Sequence, residues 1–150
     1  MQPRSNDAGW DHPAPFVLEL TATAEDLDSY GHVNNAVYLR WLERCAWAHS
    51  ESVGLPESAC LALQRGMAIV SLRLDYLAAA RAGDRLLVGN WITSTDARLR
   101  VTRHFQIRDA GRGHTLLRGD IDYVCLNLAN GRAVRMPPEF RTGYAATAGT

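Results

Sequence analysis

The sequence predicts an α+β domain in which an antiparallel β-sheet is covered by one long α-helix. Three observations predict it. Apolar and polar residues alternate from Phe16 to Thr21, as in a half-buried strand. One stretch with helical periodicity follows, from Asn34 or Asn35 to about Val53. Four strand-like segments then succeed one another with short connections, the pattern of an antiparallel meander.

Each element has its own reason. Residues 1–14 are polar, contain proline and read as an N-terminal tail. Phe16, Leu18 and Leu20 make the buried face of the first strand. In the helix, Val37, Trp41, Cys45 and Ala48 form one stripe, which Tyr38, Leu42 and Ala46 widen. Arg40, Glu43, Arg44 and Trp47 are left for the other side. So wide an apolar face implies a helix largely enclosed by other elements. Asn34 and Asn35 are good N-cap residues, and Gly54 followed by Pro56 suits its end. Residues 55–65 hold a short second helical turn. Strands follow at 67–77, at Arg85–Thr95, around Leu99–Arg108 and at Thr115–Leu128. In the third of these, Leu99, Val101, Phe105 and Ile107 face one way. Arg98, Arg100, Thr102, His104, Gln106 and Arg108 face the other, which reads as a wet face. The domain spans 15–140, with a C-terminal tail over 141–150.

Composition narrows the chemistry. The chain has 150 residues, 47% hydrophobic and 21% charged, enough for a core without disulfides or metals. Its net charge is +0 from 16 basic and 16 acidic residues, which argues against nucleic-acid binding. Every basic residue is Arg, so neither Schiff-base chemistry nor a P-loop Lys is available. Cys45, Cys60 and Cys125 are odd in number and far apart, and read as free thiols in a reducing, cytoplasmic setting. No His/Asp/Glu cluster has metal-site spacing, and no signal peptide or membrane span is expected.

The informative segment is Asp26-Leu-Asp-Ser-Tyr-Gly-His-Val-Asn-Asn-Ala-Val-Tyr38, between the first strand and the helix. Free N–H groups and the macrodipole at a helix start favour a carboxylate in its charged form, ready as base or nucleophile. The same N–H groups suit a developing oxyanion, and Gly31 lets a carbonyl approach the backbone closely. Asp, Asn and Ser at such a place also serve as caps and turn-formers.

The run from Asp26 to Glu43 resembles the hotdog-fold acyl thioesterases. It looks most like the branch related to 4-hydroxybenzoyl-CoA thioesterase and like plant acyl-carrier-protein thioesterases. Arg65-Gly66, Asp75-Tyr76, Gly83-Asp84-Arg85-Leu86 and Gly119-Asp120-Ile121-Asp122-Tyr123-Val124 match that pattern too. The resemblance implies a single hotdog domain, its sheet wrapped around the central helix. It further implies a homodimer or dimer of dimers joined edge to edge, with active sites at the interface. It gives the catalytic carboxylate to Asp28 and a supporting role to His32. Gly31, Val33, Asn34 and Asn35 become the oxyanion and substrate-positioning residues. Tyr30, Tyr38 and Trp41 become candidates for the acyl pocket. Tyr30 stands where the plant branch has Asn, and Ala46 where the family has Arg after the helix Glu.

The implied reaction is hydrolysis of an acyl-CoA or acyl-carrier-protein thioester. It needs no metal or other cofactor beyond the coenzyme A moiety of the substrate. A non-catalytic acyl-CoA-binding protein or a hotdog dehydratase or hydratase is the alternative. Glu43 reads as ion-paired with Arg40 or Arg44. Arg98, Arg100, Arg103 and Arg108 read as a solvated face, some of them, or Arg65, available to coenzyme A phosphates. His104 and His114 read as solvent-exposed.

Overall fold

A computed structural model describes residues 8–147. Strand β1 (Phe16–Thr21) leads through a short 3₁₀ turn (Ala24–Asp26) to the long helix α1 (Asn35–Ser52). A short helix α2 (Glu57–Leu63) precedes β2 (Arg65–Tyr76), β3 (Arg85–Thr95), β4 (Arg100–Asp109) and β5 (Thr115–Asn127). Helix α3 (Pro138–Gly143) closes the order. The long helix starts where the caps say it should: Asn34 Oδ1 accepts the Ala36 N–H at 2.9 Å. Gly54, at φ +82°, ends it in the left-handed conformation.

The five strands form one antiparallel sheet in the order β1-β3-β4-β5-β2. The expected meander therefore holds only for β3, β4 and β5. β2 pairs with β5 at the far edge, not with its sequence neighbour β3. The cause lies in the connection 77–84, which crosses the start of α1 instead of folding into a hairpin. Leu77 and Ala78 donate to the Leu116 carbonyl there, and the buried Ala80 donates to Tyr38 Oη at 2.9 Å.

The inner face of the sheet packs on α1. Leu86, Val88, Phe105, Ile107, Leu117 and Ile121 meet Val37, Tyr38, Trp41, Leu42 and Cys45 in one cluster. A second cluster gathers Leu55, Cys60, Ile92, Val101, Cys125, Met136, Phe140 and Tyr144 at the other end. It corrects the boundary drawn at residue 140. Helix α3 runs to Gly143, Tyr144 is buried, and Thr147 Oγ1 accepts the Ile92 N–H at 2.9 Å. The apolar faces of Phe140 and Tyr144 are what hold this segment down.

The outer face is wet at Arg98 and Arg100, as expected, but covered from His104 to Arg108. Residues 8–15 lie along it as a strap. Trp10 covers Gly89, where a Cβ would sit 2.6 Å from the indole, and meets Trp91 edge to face. Trp91 Nε1 donates to the Pro13 carbonyl at 2.9 Å, and Gln106 Nε2 donates to the Gly9 carbonyl. Asp11 holds Arg118 through two guanidinium nitrogens and also meets His104 Nε2 at 2.7 Å. His104 is thus enclosed between Asp11 and Asp120, not solvated. His114 is exposed, as its hairpin position suggests. The first seven residues of the tail lie outside the described ones.

Candidate active site

The loop between β1 and α1 is built around Asp28. Its backbone N–H donates to the His32 carbonyl at 2.7 Å, and its carbonyl accepts the Gly31 N–H at 3.1 Å. Its side-chain Oδ1 accepts the N–H groups of Tyr30 at 2.9 Å and His32 at 3.2 Å. The turn needs a left-handed residue, which Gly31 supplies at φ +79°. Oδ2 is the oxygen left for chemistry. Asn34 N–H bonds the Asp26 carbonyl and Val33 N–H the Ala80 carbonyl, so the loop is anchored on both sides. Tyr76 Oη donates to the Asn35 carbonyl at 3.0 Å from strand β2.

These bonds narrow the oxyanion set. The amides of Gly31, Val33 and Asn34 are already engaged with carbonyls of the loop and of residue 80. Among the described residues, the Asn35 N–H has no internal acceptor, as expected for the first helical position. The His32 ring is exposed and makes no hydrogen bond among the described residues; only its backbone N–H and carbonyl bond Asp28. The three pocket candidates also divide. Tyr30 stands 85% exposed. Tyr38 and Trp41 are buried in the core, packed edge to face at 5.3 Å. None of the three lines the cavity beside the second half of α1.

That cavity, about 340 Å³, lies between α1 and the β2 side of the sheet. Its walls include Glu43, Trp47, Met67, Ile69, Arg103 and Tyr123. Glu43 is exposed and makes no ion pair among the described residues, so the pairing expected with Arg40 or Arg44 does not form. At 1.5 Å per residue the cavity's α1 residues, Glu43 to Ser50, lie about 12 to 22 Å beyond Asn35 along the helix. The cavity and the Asp28 loop of one chain are therefore separate.

Arg103 departs most from the sequence reading. It points inward and is 4% exposed. Its Nη1 donates to Asn90 Oδ1 at 2.7 Å and to His49 Nδ1 at 2.6 Å. Because a guanidinium is donor only, Nδ1 must be the bare ring nitrogen and His49 neutral. Burial, with the Arg103 charge second, brings His49 from 6.5 down to about 4. Asn90 Nδ2 donates to Cys45 Sγ, whose thiol faces the Val88 carbonyl. Burial pushes that thiol up to about 11 and the Tyr123 hydroxyl up to about 12. The two groups to which Arg103 donates, Asn90 and His49, are thus uncharged at neutral pH. The strand period alone places residue 103 with Val101, Phe105 and Ile107 on the inner face; the charge of Arg concealed it.

The other arginines are placed differently. Arg108 donates to the Ala8 and Gly113 carbonyls and stacks on Trp10. Arg65 donates to the Gln64 carbonyl. Arg98 and Arg100 are exposed. No group of three or more metal-ligating side chains occurs among the described residues, and no helix there is long and apolar enough to cross a membrane.

Comparison with known proteins places this geometry. Residues 22–143 match the thioesterase-like superfamily. A 1,4-dihydroxy-2-naphthoyl-CoA hydrolase from Synechocystis is 26% identical over 132 residues, covering 85% of this chain and 92% of that protein. A chloroplastic acyl-acyl carrier protein thioesterase from Arabidopsis thaliana is 31% identical over 88 residues, 59% of this chain. The match spans 46% of the Arabidopsis protein, under half its length. The crystal structure of a 1,4-dihydroxy-2-naphthoyl-CoA thioesterase from Synechocystis superposes with a TM-score of 0.79 at 24% identity, over 87% of this chain and 96% of that one.

Proposed function

The chain belongs to the thioesterase-like superfamily, with the hotdog fold, and from that premise we propose that it hydrolyses an acyl thioester of coenzyme A or of a carrier protein, with Asp28 as the reacting carboxylate. One observation carries the assignment. Two backbone N–H groups hold Asp28 Oδ1, Oδ2 is left over, and the unbonded Asn35 N–H opens the helix that follows. The thioester carbonyl lies over that helix start. Asn35 N–H and the positive end of α1 stabilise the oxygen as it gains charge. Oδ2 either takes a proton from water, which adds to the carbonyl carbon, or adds itself to give an anhydride that water then opens. In both routes the C–S bond breaks and the thiolate leaves, to be protonated. Label from ¹⁸O-water entering Asp28 after a single turnover marks an anhydride opened at the Asp28 carbon; label confined to the product acid marks water adding at the acyl carbon, directly or on the anhydride, and capture of the anhydride by hydroxylamine separates those two.

The site is completed by a second copy of the chain. β2 is an edge strand with Ile69, Val70 and Leu72 exposed at 37%, 50% and 43%. An unpaired apolar edge is a template for pairing. Antiparallel pairing of two such edges about Leu72 sets Tyr76 of one protomer opposite Ala68 of the other. Tyr76 holds the helix start and Ala68 adjoins the cavity wall residues Met67 and Ile69. The Asp28 loop of one protomer is thereby brought to the cavity of the other, which resolves their separation within one chain. The exposed Arg98 and Arg100 are available for coenzyme A phosphates.

A second reading has an observation of its own: Glu43 is a carboxylate in the cavity wall. It makes Glu43 the base and Asp28 a positioning group. Rates for Asp28→Asn and Glu43→Gln separate the two, the lower marking the base. The function itself is tested by thiol release across a panel of acyl-CoAs. Release supports the hydrolase. Tight binding without release supports a non-catalytic acyl-CoA-binding protein, and water loss from a 3-hydroxyacyl thioester supports a dehydratase.

A further inference from the structure

The buried guanidinium of Arg103 has no anionic partner. Among the described residues no ion pair includes it. Its two hydrogen bonds, to Asn90 and His49, both leave from Nη1 and both end on neutral groups. Its carbon lies 5.5 Å from the centre of the Tyr144 ring, a contact that favours a cation without neutralising it. Charged groups this deeply buried are ordinarily paired with an opposite charge. Here the residue instead forms part of the wall of a 340 Å³ cavity, a volume within the range of small-molecule sites.

The free part of the guanidinium is a particular edge. Nε and Nη2 make no hydrogen bond among the described residues. Together they present two parallel N–H groups, the fork that binds a carboxylate through both oxygens. The same edge is used that way elsewhere in this chain: Arg118 Nε and Nη2 hold the two carboxylate oxygens of Asp11 at 2.9 Å each. The cavity's own carboxylate, Glu43, is on the exposed side of α1 and does not occupy this edge. The remaining walls are largely apolar, including Met67, Ile69 and Val101.

We propose that the cavity receives an acyl group carrying a carboxylate at its far end, and that the Nε–Nη2 edge of Arg103 selects it. The substrate class is the monothioester of a short dicarboxylic acid. This rests on the thioesterase reading and adds the specificity to it. Methylene groups between the two carbonyl carbons lie against the apolar walls, and the terminal carboxylate supplies the charge that Arg103 lacks.

The test compares glutaryl-CoA with valeryl-CoA, which differ at the terminal group. Wild-type enzyme is expected to show kcat/KM at least tenfold higher for glutaryl-CoA, mainly through KM. In Arg103→Gln that ratio falls towards one, and Arg103→Lys, which keeps the charge without the fork, restores part of it. A wild-type ratio of one or less overturns the proposal. Because Arg103 also holds His49 and Asn90, a measurement on wild-type protein alone stands beside the variants. Calorimetry with the non-hydrolysable S-(4-carboxybutyl)-CoA and S-pentyl-CoA is expected to give at least tenfold tighter binding of the first. Equal binding overturns the proposal. Selective binding with neither thioester hydrolysed leaves Arg103's role standing and removes the thioesterase; equal hydrolysis with equal binding does the reverse.

Discussion

His49 makes the fold sensitive to mild acid. Its Nδ1 accepts a hydrogen bond from Arg103 at 2.6 Å, so a proton on that nitrogen would face a guanidinium inside the core. Burial first, and the Arg103 charge second, bring its pKa from 6.5 to about 4. The folded value lies below the unfolded one, so between pH 6.5 and 4 the unfolded chain binds the extra proton. The contribution is therefore complete above pH 6.5 and is lost as pH falls towards 4. With these two values the loss reaches about 2 kcal/mol at pH 5 and about 3 kcal/mol below pH 4. The window is separate from that of the carboxylates. Asp96, Asp109 and Asp122 are held below 3.8 by hydrogen bonds, led by those from the Arg100 and Arg112 N–H groups and the Thr102 hydroxyl, and so act only in stronger acid. The assay is urea unfolding of wild type and His49→Gln at pH 7 and pH 5. Gln keeps an acceptor for Arg103 but does not titrate, and the remaining histidines cancel in the difference. Wild type should lose about 2 kcal/mol more than the variant between the two pH values, with unchanged slopes. Equal losses would mean that His49 is not held neutral in the folded chain.

Three other outcomes follow from the packing. Trp10→Ala should lower stability by about 2 to 3 kcal/mol in urea unfolding, because the indole covers Gly89 and Trp91; no change would mean the strap is not held in solution. Leu72→Asp should convert the proposed dimer to monomer in sedimentation and depress thiol release with it, since it puts a charge at the centre of the exposed β2 edge. Gly31→Ala has open space for its Cβ but must adopt φ +79°, so it should cost about 1 kcal/mol of stability and lower kcat through a displaced Asp28.

What the sequence disclosed was local. The helical stripe from Val37 to Ala48 and the caps at Asn34 and Gly54 placed α1 almost to the residue. The Asp28 turn was legible because its Gly, Asp and Asn each have a short-range reason to be there. What the sequence concealed was non-local. β2 joins the far edge because of where the connection 77–84 crosses α1, and no periodicity records that crossing. Trp10 and Asp11 looked like tail residues because their partners, Gly89, Trp91 and Arg118, come some 80 to 107 positions later. Tyr38 and Trp41 suited a pocket by type, but their face of α1 points into the core. Arg103 sat in a row of arginines that read as solvated, although its spacing from Val101 and Phe105 set it inside. Of the candidate oxyanion residues Gly31, Val33, Asn34 and Asn35, only Asn35 keeps an unengaged N–H among the described residues, and the carbonyls that engage the others come from the folded loop and residue 80.

In the proposed hydrolysis Asp28 is the reacting carboxylate. The most direct test of that role is the single-turnover rate of thiol release by Asp28→Asn, on a substrate the wild type cleaves. Asn keeps the size of the side chain and an oxygen for the Tyr30 and His32 N–H groups, so the loop and the proposed dimer should survive. The rate should fall about 10²- to 10⁴-fold, the range lost with a base or nucleophile, with the proposed dimer and the fold intact. A folded dimeric variant releasing thiol within about threefold of wild type, far outside that range, would contradict that role.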